Sequence, residues 1–531
     1  MKKNIFYILT VTVVLIAIQS CKTYYFRSNY REANSLIHET RNLQTKPFLK
    51  AHLKNGDVII LEDNWKVDTT LNIVSGKGTQ YDFNRKQILQ DSISIPIDSV
   101  AIFETNTKIM NPESGRIAAL AILTGLDVAM GIVCLTNPKA CFGSCPTFYI
   151  NENDNFHYAD AEGFSNAILP SMEYFDIDAL NPKRITSKDF PITMKNEALE
   201  THCVKDVKIL AYPLEEGERV YQSPTNDFYL CSNNYSLSYS TADEGNITAL
   251  LKSQDRQERY SLSDENNLNS REEIYLTFEN VENTDNIGFI LNFRQTLMTT
   301  YLFYSAMGYM GDEVSDVFAI LETDEDMRNT FDATTKLLGG IDVYTWNGQN
   351  SNWEYQDRFY ETGPIAINRQ IIPLQNLPSD SKVKVKLVLN RGLWRIDYVA
   401  LTNIESQVKP IELSPSSILH KGQIDNVALN QILSPDKYLI SMPGSAYKFN
   451  FIMPEANRDY ELFLYSKGYY LEWMRENWLK NKNLLKLKQM VFNPERYLRE
   501  EAKKFKQYES TMEQEFWSTR IDTQTFSYYE D

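Results

Sequence analysis

The sequence predicts a mainly β protein: a small β-barrel or β-sandwich, then a larger β-sandwich with helical insertions, then a C-terminal α-helical tail. Three observations predict this. The 531 residues are enough for about three or four domains. The 32 Tyr and 26 Phe are residue types that favour strands. Several segments alternate apolar and polar residues with a period of two, which is the spacing of a half-buried strand.

The composition limits the classes of function. The 54 Lys and Arg are outnumbered by 70 Asp and Glu, which gives a formal net charge of −16 at pH 7. Nucleic-acid binding depends on a cationic surface, so no nucleic-acid partner is expected. Hydrophobic residues at 43% and charged residues at 23% are ordinary for a folded protein, which excludes a wholly disordered chain.

The N-terminus has the order of segments that is typical of a secretory signal. Two lysines precede an apolar run over residues 5–18, and Cys21 follows closely. The run is shorter than the ~20 apolar residues that a membrane-spanning helix needs. Residues 18–21 resemble a bacterial lipobox, so we expect a signal peptide over residues 1–20 and a lipid anchor, such as palmitate, on Cys21.

The residues after the predicted anchor indicate which membrane it enters. Residues 22–27 carry no acidic side chain. In bacterial lipoproteins an acidic residue there can mean retention in the inner membrane, and an acidic run can mark export to the surface. By this resemblance we expect a cell-envelope protein anchored to the outer membrane and facing the periplasm.

A polar tether over residues 21–47 is expected to precede a small β domain over residues 48–110. Asn55-Gly56 precedes an apolar run and predicts a hairpin turn. Lys77-Gly78 predicts a second turn, and residues 93–103 alternate into a final strand.

An apolar segment rich in Ala and Gly is expected over residues 111–140. Its central part, residues 117–135, carries one charge, Asp127. Its length just reaches the range of a membrane helix, but a central Asp costs about 2.5–3.5 kcal/mol on insertion scales. Burial within the protein is favoured, and membrane contact beside the lipid anchor is the alternative.

The remaining chain is expected to hold a β-rich sandwich over 141–405, a β segment over 406–465 and a helical tail over 466–531. The clearest strand is residues 382–389, in which lysines alternate with aliphatic residues. A turn at Arg391-Gly392 leads into the next strand.

A sequence pattern that predicts helices interrupts the sandwich over residues 295–340. Acidic residues at 322–326 are typical of a helix start, and Gly339-Gly340 of a helix end. A calcium loop is the weaker interpretation of those acids, since the Gly and the distal Glu of an EF-hand are missing. The aromatic tail helices are expected to fold back on their own sandwich, and docking on a partner is the alternative.

Apart from Cys21, the chain has five cysteines, an odd number. Cys141 and Cys145 flank a Gly-Ser turn, so a local disulfide is expected in an oxidising compartment. A zinc site from Cys134, Cys141, Cys145 and His157 matches no standard ligand spacing, so no metal is expected.

No catalytic residue or cofactor can be assigned from the sequence. There is no nucleophile elbow, phosphate-binding glycine loop or dinucleotide fingerprint. A pair of acids of the glycosidase kind stays open, because two carboxylates need only be close in space. The five histidines occur singly, at His38, His52, His157, His202 and His420.

Three tryptophans in strand or turn context are candidates for stacking on sugar rings: Trp346, Trp353 and Trp394. Residues 343–348 form the best patch. A tryptophan between aliphatic neighbours is more often part of a core, so a core position is the alternative for each.

Several short stretches together resemble a sparsely characterised family of bacterial envelope lipoproteins. They are Ile95-Pro96-Ile97 with the apolar segment after it, Ser144-Cys145-Pro146 with Phe148-Tyr149, residues 196–210, residues 393–399 and residues 466–470. The resemblance covers most of residues 90–517. It implies a β-rich protein with a C-terminal β-sandwich and helical tail, and it carries over no activity and no catalytic residue.

These observations lead to three functional hypotheses. The first is a non-enzymatic outer-membrane lipoprotein that acts as a scaffold or protein-interaction subunit of an envelope complex. The alternative is a glycan-binding lipoprotein with a lectin-like β-sandwich. An envelope hydrolase comes third, since it depends only on abundant carboxylates.

Overall fold

The structure is a computed structural model in which a mainly β fold forms two compact units. One unit holds residues 1–141, 305–324 and 473–487, and the other holds residues 142–304, 325–472 and 488–531. The structure describes residues 23–28, 49–53, 57–62, 65–68, 70–81, 87–110, 145–150, 159–181, 183–198, 200–282, 286–311, 314, 317–318, 321, 324–331, 333–360, 363–377, 381–441, 444–472 and 481–518.

The first unit is built on a seven-stranded antiparallel sheet of order β1-β7-β2-β3-β5-β4, with β6 paired to β5. The predicted hairpin at Asn55-Gly56 is confirmed, because β2 and β3 pair on either side of it. The strands are β1 Thr23–Ser28, β2 Leu49–Leu53, β3 Val58–Leu61, β4 Lys66–Asp68, β5 Ile73–Tyr81, β6 Gln87–Pro96 and β7 Val100–Met110.

Two sequence-based expectations for this unit are wrong. Gly78 is not in a turn but inside β5, where a Cβ would lie 2.2 Å from the carbonyl oxygen of Ile60 on the neighbouring strand. The glycine is needed there for close approach. The predicted tether over 21–47 also contains strand β1, which pairs with β7 of the same sheet.

The second unit contains 23 strands among the described residues. They are β8 Thr147–Tyr149, β9 Ala161–Glu162, β10 Tyr174–Ala179, β11 Lys183–Ile185, β12 Asp189–Lys195, β13 Glu200–Pro213, β14 Arg219–Gln222, β15 Phe228–Ser236, β16 Tyr239–Ala242, β17 Gly245–Asn246, β18 Arg271–Phe278, β19 Ile287–Gln295, β20 Ile341–Asn347, β21 Asn352–Phe359, β22 Asn368–Pro373, β23 Val383–Asn390, β24 Trp394–Val408, β25 Ile411–Leu413, β26 Ser417–His420, β27 Gln423–Ile424, β28 Leu439–Ser441, β29 Ala446–Ile452 and β30 Arg458–Glu472.

These strands form three six-stranded sheets and one closed barrel. The barrel has the order β14-β15-β24-β19-β22 and closes through a parallel contact between β14 and β22. One sheet is β27-β26-β29-β12-β8-β9, and another is β10-β30-β13-β25 with β11 and β28 added. The third, which we call the outer sheet, has the order β17-β16-β18-β23-β20-β21.

The helices of the described residues are short and lie in the insertion, between strands and near the C-terminus. They are α1 Thr248–Leu251, α2 Met298–Met310, α3 Glu325–Phe331, α4 Ala333–Leu338, α5 Asn426–Ile432, α6 Leu484–Phe492, α7 Pro494–Lys506 and α8 Glu509–Ser518. Helices α2, α3 and α4 confirm the helical insertion over 295–340, and Gly339 follows α4 with a φ of +67°. None of the described helices has the length and apolar character needed to cross a membrane.

Two predicted boundaries, and the content of one predicted segment, differ from the observed structure. The helical tail does not begin at residue 466, because β30 continues to Glu472. The boundary at 405 falls inside β24, and the segment 406–465 includes helix α5. The long strands β24 and β30 are each held by pairing with residues distant in the sequence, such as β13 for β30. The local sequence pattern does not reveal such pairing.

The C-terminal helices α7 and α8 pack on their own unit, as expected. The ring of Phe505 lies 5.1 Å from that of Tyr301, whose hydroxyl donates a 2.6 Å hydrogen bond to Glu501. On α8, Glu513 pairs with Arg395 of the barrel at 2.5 Å. These contacts bury Phe505 and Phe516.

Candidate functional site

The outer sheet has one apolar and one polar face because its strands alternate. On β18 and β23 the inward side chains Ile274, Leu276 and Leu387 are at most 1% exposed. Tyr275 and Lys386 point the opposite way and face each other across the two strands. The prediction that the lysines of residues 382–389 share one solvated face is confirmed.

The β20–β21 hairpin places aromatic residues opposite one another on the same outward face. Its register pairs Trp346 with Trp353 and Tyr344 with Tyr355. The turn between the strands is fixed by Asn347, whose side-chain oxygen accepts a 2.9 Å hydrogen bond from the backbone N–H of Gln349.

Five rings on this face form two contacting groups that both adjoin the Lys386 ammonium, and we call the five rings together the aromatic platform. Its members are Tyr275, Tyr344, Trp346, Trp353 and Tyr355. Trp353 lies 5.4 Å from Trp346 and 5.8 Å from Tyr275, and Tyr344 lies 5.5 Å from Tyr355.

The rings lie across the sheet rather than standing upright on it. Trp353 and Tyr275 belong to strands three positions apart, a distance of roughly 14 Å in backbone spacing. Their rings nevertheless touch, so the side chains must lean toward each other. Tyr275 is 40% exposed and Tyr355 is 53% exposed, so the platform is open to solvent.

An ion pair lies within the platform. The Lys386 ammonium is 5.0 Å from the Tyr344 ring and 5.5 Å from the Trp353 ring, and it donates a 3.0 Å hydrogen bond to Glu273. Glu273 also accepts a hydrogen bond from the Tyr275 hydroxyl. The hydrogen bonds from Tyr275 and Lys386 hold the pKa of Glu273 below its ordinary value. The platform therefore combines exposed ring faces with fixed donors and acceptors.

The structure brings together two of the three candidate tryptophans and separates the third. Trp394 is 1% exposed and packs 5.8 Å from the Phe293 ring in the barrel, so it cannot stack on a ligand. The sequence analysis did not single out Tyr275 or Tyr355. A signal for Tyr355 exists, because Tyr344-x-Trp346 and Trp353-x-Tyr355 stand symmetrically about one turn.

The predicted cysteine pair is described in part. Cys145 is a buried free thiol, so the predicted Cys141–Cys145 disulfide is not formed in this structure; Cys134, Cys141 and His157 lie outside the described residues. Burial and the nearby Glu162 raise the pKa of the Cys145 thiol well above its ordinary value. Within the described ranges, no group of three His, Cys, Asp or Glu side chains could hold a metal ion.

Two of the histidines have defined surroundings. His202 is fully buried, with Nε2 3.0 Å from Glu200. His420 stacks on Tyr447 with ring centroids 4.5 Å apart. Both positions are those of structural histidines held within strands.

A buried carboxylate cluster lies where three sheets of the second unit meet. Glu162 on β9 and Asp178 on β10 are 1% and 3% exposed. Asp178 accepts hydrogen bonds from the backbone N–H of Glu162 at 2.6 Å and from Asn368 on β22 at 3.2 Å. No Lys or Arg among the described residues pairs with either acid or with the neighbouring Asp176.

Burial raises the pKa of all three acids. The pKa of Glu162 and that of Asp178 lie well above their ordinary values, and a neighbouring carboxylate raises each further. Burial raises the pKa of Asp176 to about 6. Since Glu162 and Asp178 are almost out of contact with solvent, they cannot touch a substrate in this conformation. The hydrolase hypothesis gains no support from them.

A second buried cluster lies next to the first and is neutralised by arginines. Glu461 is 0% exposed and accepts hydrogen bonds from Arg219 Nε at 2.7 Å and from Arg369 Nη2 at 2.6 Å. The Tyr221 ring lies 5.6 Å and 5.7 Å from the two guanidinium groups. These contacts join β30 to strands β14 and β22 of the barrel.

No protein-family model matches the chain, and no curated relative matches it. Two solved structures are similar over parts of it. The crystal structure of BuGH86wt in complex with neoagarooctaose is 9% identical, with a TM-score of 0.16, over 43% of this chain and 33% of that one. The secreted serine protease VesC from Vibrio cholerae is 9% identical, with a TM-score of 0.12, over 67% of this chain and 63% of that one. The chain spans less than two thirds of either protein, and neither likeness carries an argument about function.

Proposed function

We propose that the chain is a lipid-anchored envelope protein that binds polysaccharide on the aromatic platform. The observation that carries the proposal is the set of leaning, solvent-open rings around the Lys386–Glu273 pair. We assign no catalytic role to the platform.

The chemistry of sugars matches this arrangement. A pyranose ring has an apolar face of C–H groups that packs on an aromatic ring, and its hydroxyls need donors and acceptors at the edge. Three rings adjoin one another, since Trp353 lies 5.8 Å from Tyr275 and 5.4 Å from Trp346 by ring centroids. Several adjoining ring faces suit several residues of a chain better than one monosaccharide.

The predicted lipid on Cys21 supports an envelope location for this activity. A polysaccharide-binding face on a lipid-anchored protein would hold polymer close to the membrane. Anchoring is tested separately, by metabolic labelling with a palmitate analogue in wild type and in Cys21→Ser. Label on wild type alone is the expected result, and equal label on both would remove the lipid from the proposal.

The binding test uses native gels cast with soluble polysaccharides. We expect a panel of plant, algal and bacterial polymers to include one that retards the wild-type protein. Trp353→Ala should weaken that binding about tenfold or more, because truncating a central aromatic contact removes most of its packing area. Tyr355→Ala should weaken it less, since this residue lies at the edge of the platform.

A matched control is available elsewhere in the same unit. Tyr174 is 47% exposed, similar to Tyr355 at 53%, but it lies on β10 in a different sheet. Tyr174→Ala should leave retardation unchanged. If Tyr174→Ala and Tyr355→Ala behave alike, or if no polymer retards the wild type, the proposal is wrong. Thermal unfolding of each variant verifies that the fold is retained.

A second candidate function is the scaffold or interaction subunit of an envelope complex. It is favoured by two exposed apolar side chains that stand three residues apart in the sequence, on β27 and α5, namely Ile424 at 67% and Val427 at 68%. Exposed apolar groups of this kind suit a protein interface.

Affinity purification of the tagged full-length protein in mild detergent tests this candidate. A stoichiometric partner that is lost in Ile424→Asp/Val427→Asp but kept in Trp353→Ala would favour the scaffold. Recovery of the protein alone would count against it.

A further inference from the structure

Three lysines stand in a row on the outward face of the middle of the outer sheet. Lys382 precedes β23, and Lys384 and Lys386 follow at intervals of two residues. Lys382 pairs with Glu279 at 3.0 Å, and Lys386 pairs with Glu273 at 3.0 Å. The charge at each end of the row is therefore neutralised.

Lys384 differs from its two neighbours. It is exposed, and no carboxylate of the described residues forms an ion pair with it. On β18 it faces Thr277, which has no charge. Its positive charge therefore stays uncompensated within a chain whose formal net charge is −16.

The position of this lysine places it at the platform. The β20–β23 ladder ends at the pair Thr345–Val385, and the next residues along each strand are Trp346 and Lys384. Thr345 and Val385 are buried, so Trp346 and Lys384, one residue on, both take the outward face. Across β18, Thr277 pairs with Tyr239, which is 48% exposed.

We propose that Lys384 gives the aromatic platform a preference for acidic polysaccharides, whose repeating sugars carry carboxylate or sulfate groups. This inference rests on the proposed glycan-binding function. The rings hold the apolar faces of the sugars, and the ammonium of Lys384 pairs with one anionic group of the chain. A neutral polymer would leave that ammonium without a counter-charge.

Salt screening makes this local charge decisive. At physiological ionic strength the net charge of −16 is largely screened beyond about 8 Å, so a bound polyanion responds mainly to the charges next to it. Lys382 and Lys386 are already engaged with Glu279 and Glu273, which leaves Lys384 as the group that can pair with the ligand.

The test compares polygalacturonate with highly methyl-esterified pectin in native affinity gels. The two polymers share a backbone and differ mainly in the charge of the carboxyl groups. We expect wild type to bind polygalacturonate more tightly than the ester. Lys384→Gln should bind polygalacturonate about threefold to fivefold more weakly, the size of an exposed ion pair, and the ester unchanged. Lys384→Arg should keep the preference.

The matched control is Lys437→Gln, which removes the same charge from an exposed lysine in the turn before β28. This variant should retain the wild-type preference. Binding of both polymers with equal strength, or a loss that is the same in Lys384→Gln and Lys437→Gln, would overturn the inference and leave glycan binding intact. Absence of binding to either polymer and to the wider polysaccharide panel would instead overturn the proposed function.

Discussion

The two buried charged clusters of the second unit are close in sequence and in space but differ in how their charge is balanced. Asn368 belongs to the carboxylate cluster, and the next residue, Arg369, belongs to the arginine cluster. In one, Glu461 accepts hydrogen bonds from two guanidinium groups. In the other, Glu162 and Asp178 have backbone and amide donors but no cation among the described residues.

The difference teaches that buried carboxylates in two neighbouring clusters have opposite effects on the stability of the fold. A buried carboxylate that accepts hydrogen bonds from two arginines balances their charge, and removing it leaves those arginines buried without a counter-charge. A buried carboxylate without a cation favours its protonated form, as the raised pKa of Glu162 indicates. Removing a carboxylate charge should therefore destabilise the protein at the arginine cluster and stabilise it at the carboxylate cluster near neutral pH.

The largest expected effect is that of Glu461→Gln. The change leaves Arg219 and Arg369 close together without their shared counter-charge. Arg369 is only 5% exposed, so water cannot compensate its charge. We expect the free energy of unfolding to fall by about 3–5 kcal/mol, as for other broken buried ion pairs. Denaturant unfolding at pH 7 measures this. Glu455→Gln is the control, because that acid is a mostly exposed partner of Arg458 and should matter little. A loss of less than about 1 kcal/mol for Glu461→Gln would refute the comparison.

A smaller effect of opposite sign is expected for Glu162→Gln. The folded-state pKa of Glu162 is raised, so its stabilising contribution is fully present below the unfolded pKa of about 4.3 and is lost as pH rises through the folded value. A glutamine keeps the acceptor for the Ile365 N–H and removes the charge.

The variant should therefore be more stable than wild type at pH 8 and gain nothing at pH 4. Denaturant unfolding of both proteins across this range measures the difference. Asp436→Asn, a change at an exposed turn residue, is the control. A destabilised Glu162→Gln at pH 8 would show that the carboxylate is ionised and held by its hydrogen bonds.

The smallest expected effect is that of Asp176→Asn. Burial raises the pKa of Asp176 to about 6, and its side chain keeps partial contact with solvent. Stability from this group is present below about pH 4 and is lost as pH rises through about 6. The variant should gain up to about 3 kcal/mol above pH 6, with most of the gain appearing between about pH 4 and about 6. A gain already complete at pH 4 would place the pKa elsewhere.

The part of the platform that the sequence predicts is the part that local pattern controls. Alternation along residues 382–389 predicts the outward lysines, and the patch at residues 343–348 includes Trp346. Tyr275 enters the platform from a strand about 70 residues earlier, through a register that depends on tertiary pairing. No local sequence pattern indicates that Tyr275 belongs to the platform.

The position of Trp394 is a contrasting case. Its aliphatic neighbours Leu393 and Ile396 favour the core alternative, and the structure confirms it, because β24 belongs to the closed barrel and its first residue packs on Phe293. The buried acids are as hidden as Tyr275, because Asp178 and Asn368 are 190 residues apart in the chain. Composition and alternation predict the fold class, whereas these clusters depend on which sheets meet.

The arrangement of strands under the platform determines how it would respond to mechanical load. Trp353 and Tyr355 lie on β21, the edge strand, which among the described strands pairs with β20 alone. Tension on those rings would open the backbone hydrogen bonds one after another, as in unzipping. Lys384 and Lys386 lie on β23, which pairs with β18 on one side and β20 on the other. Tension along that strand would load many bonds at once in shear. A polymer held by the central strand would therefore resist a pull that strips the edge.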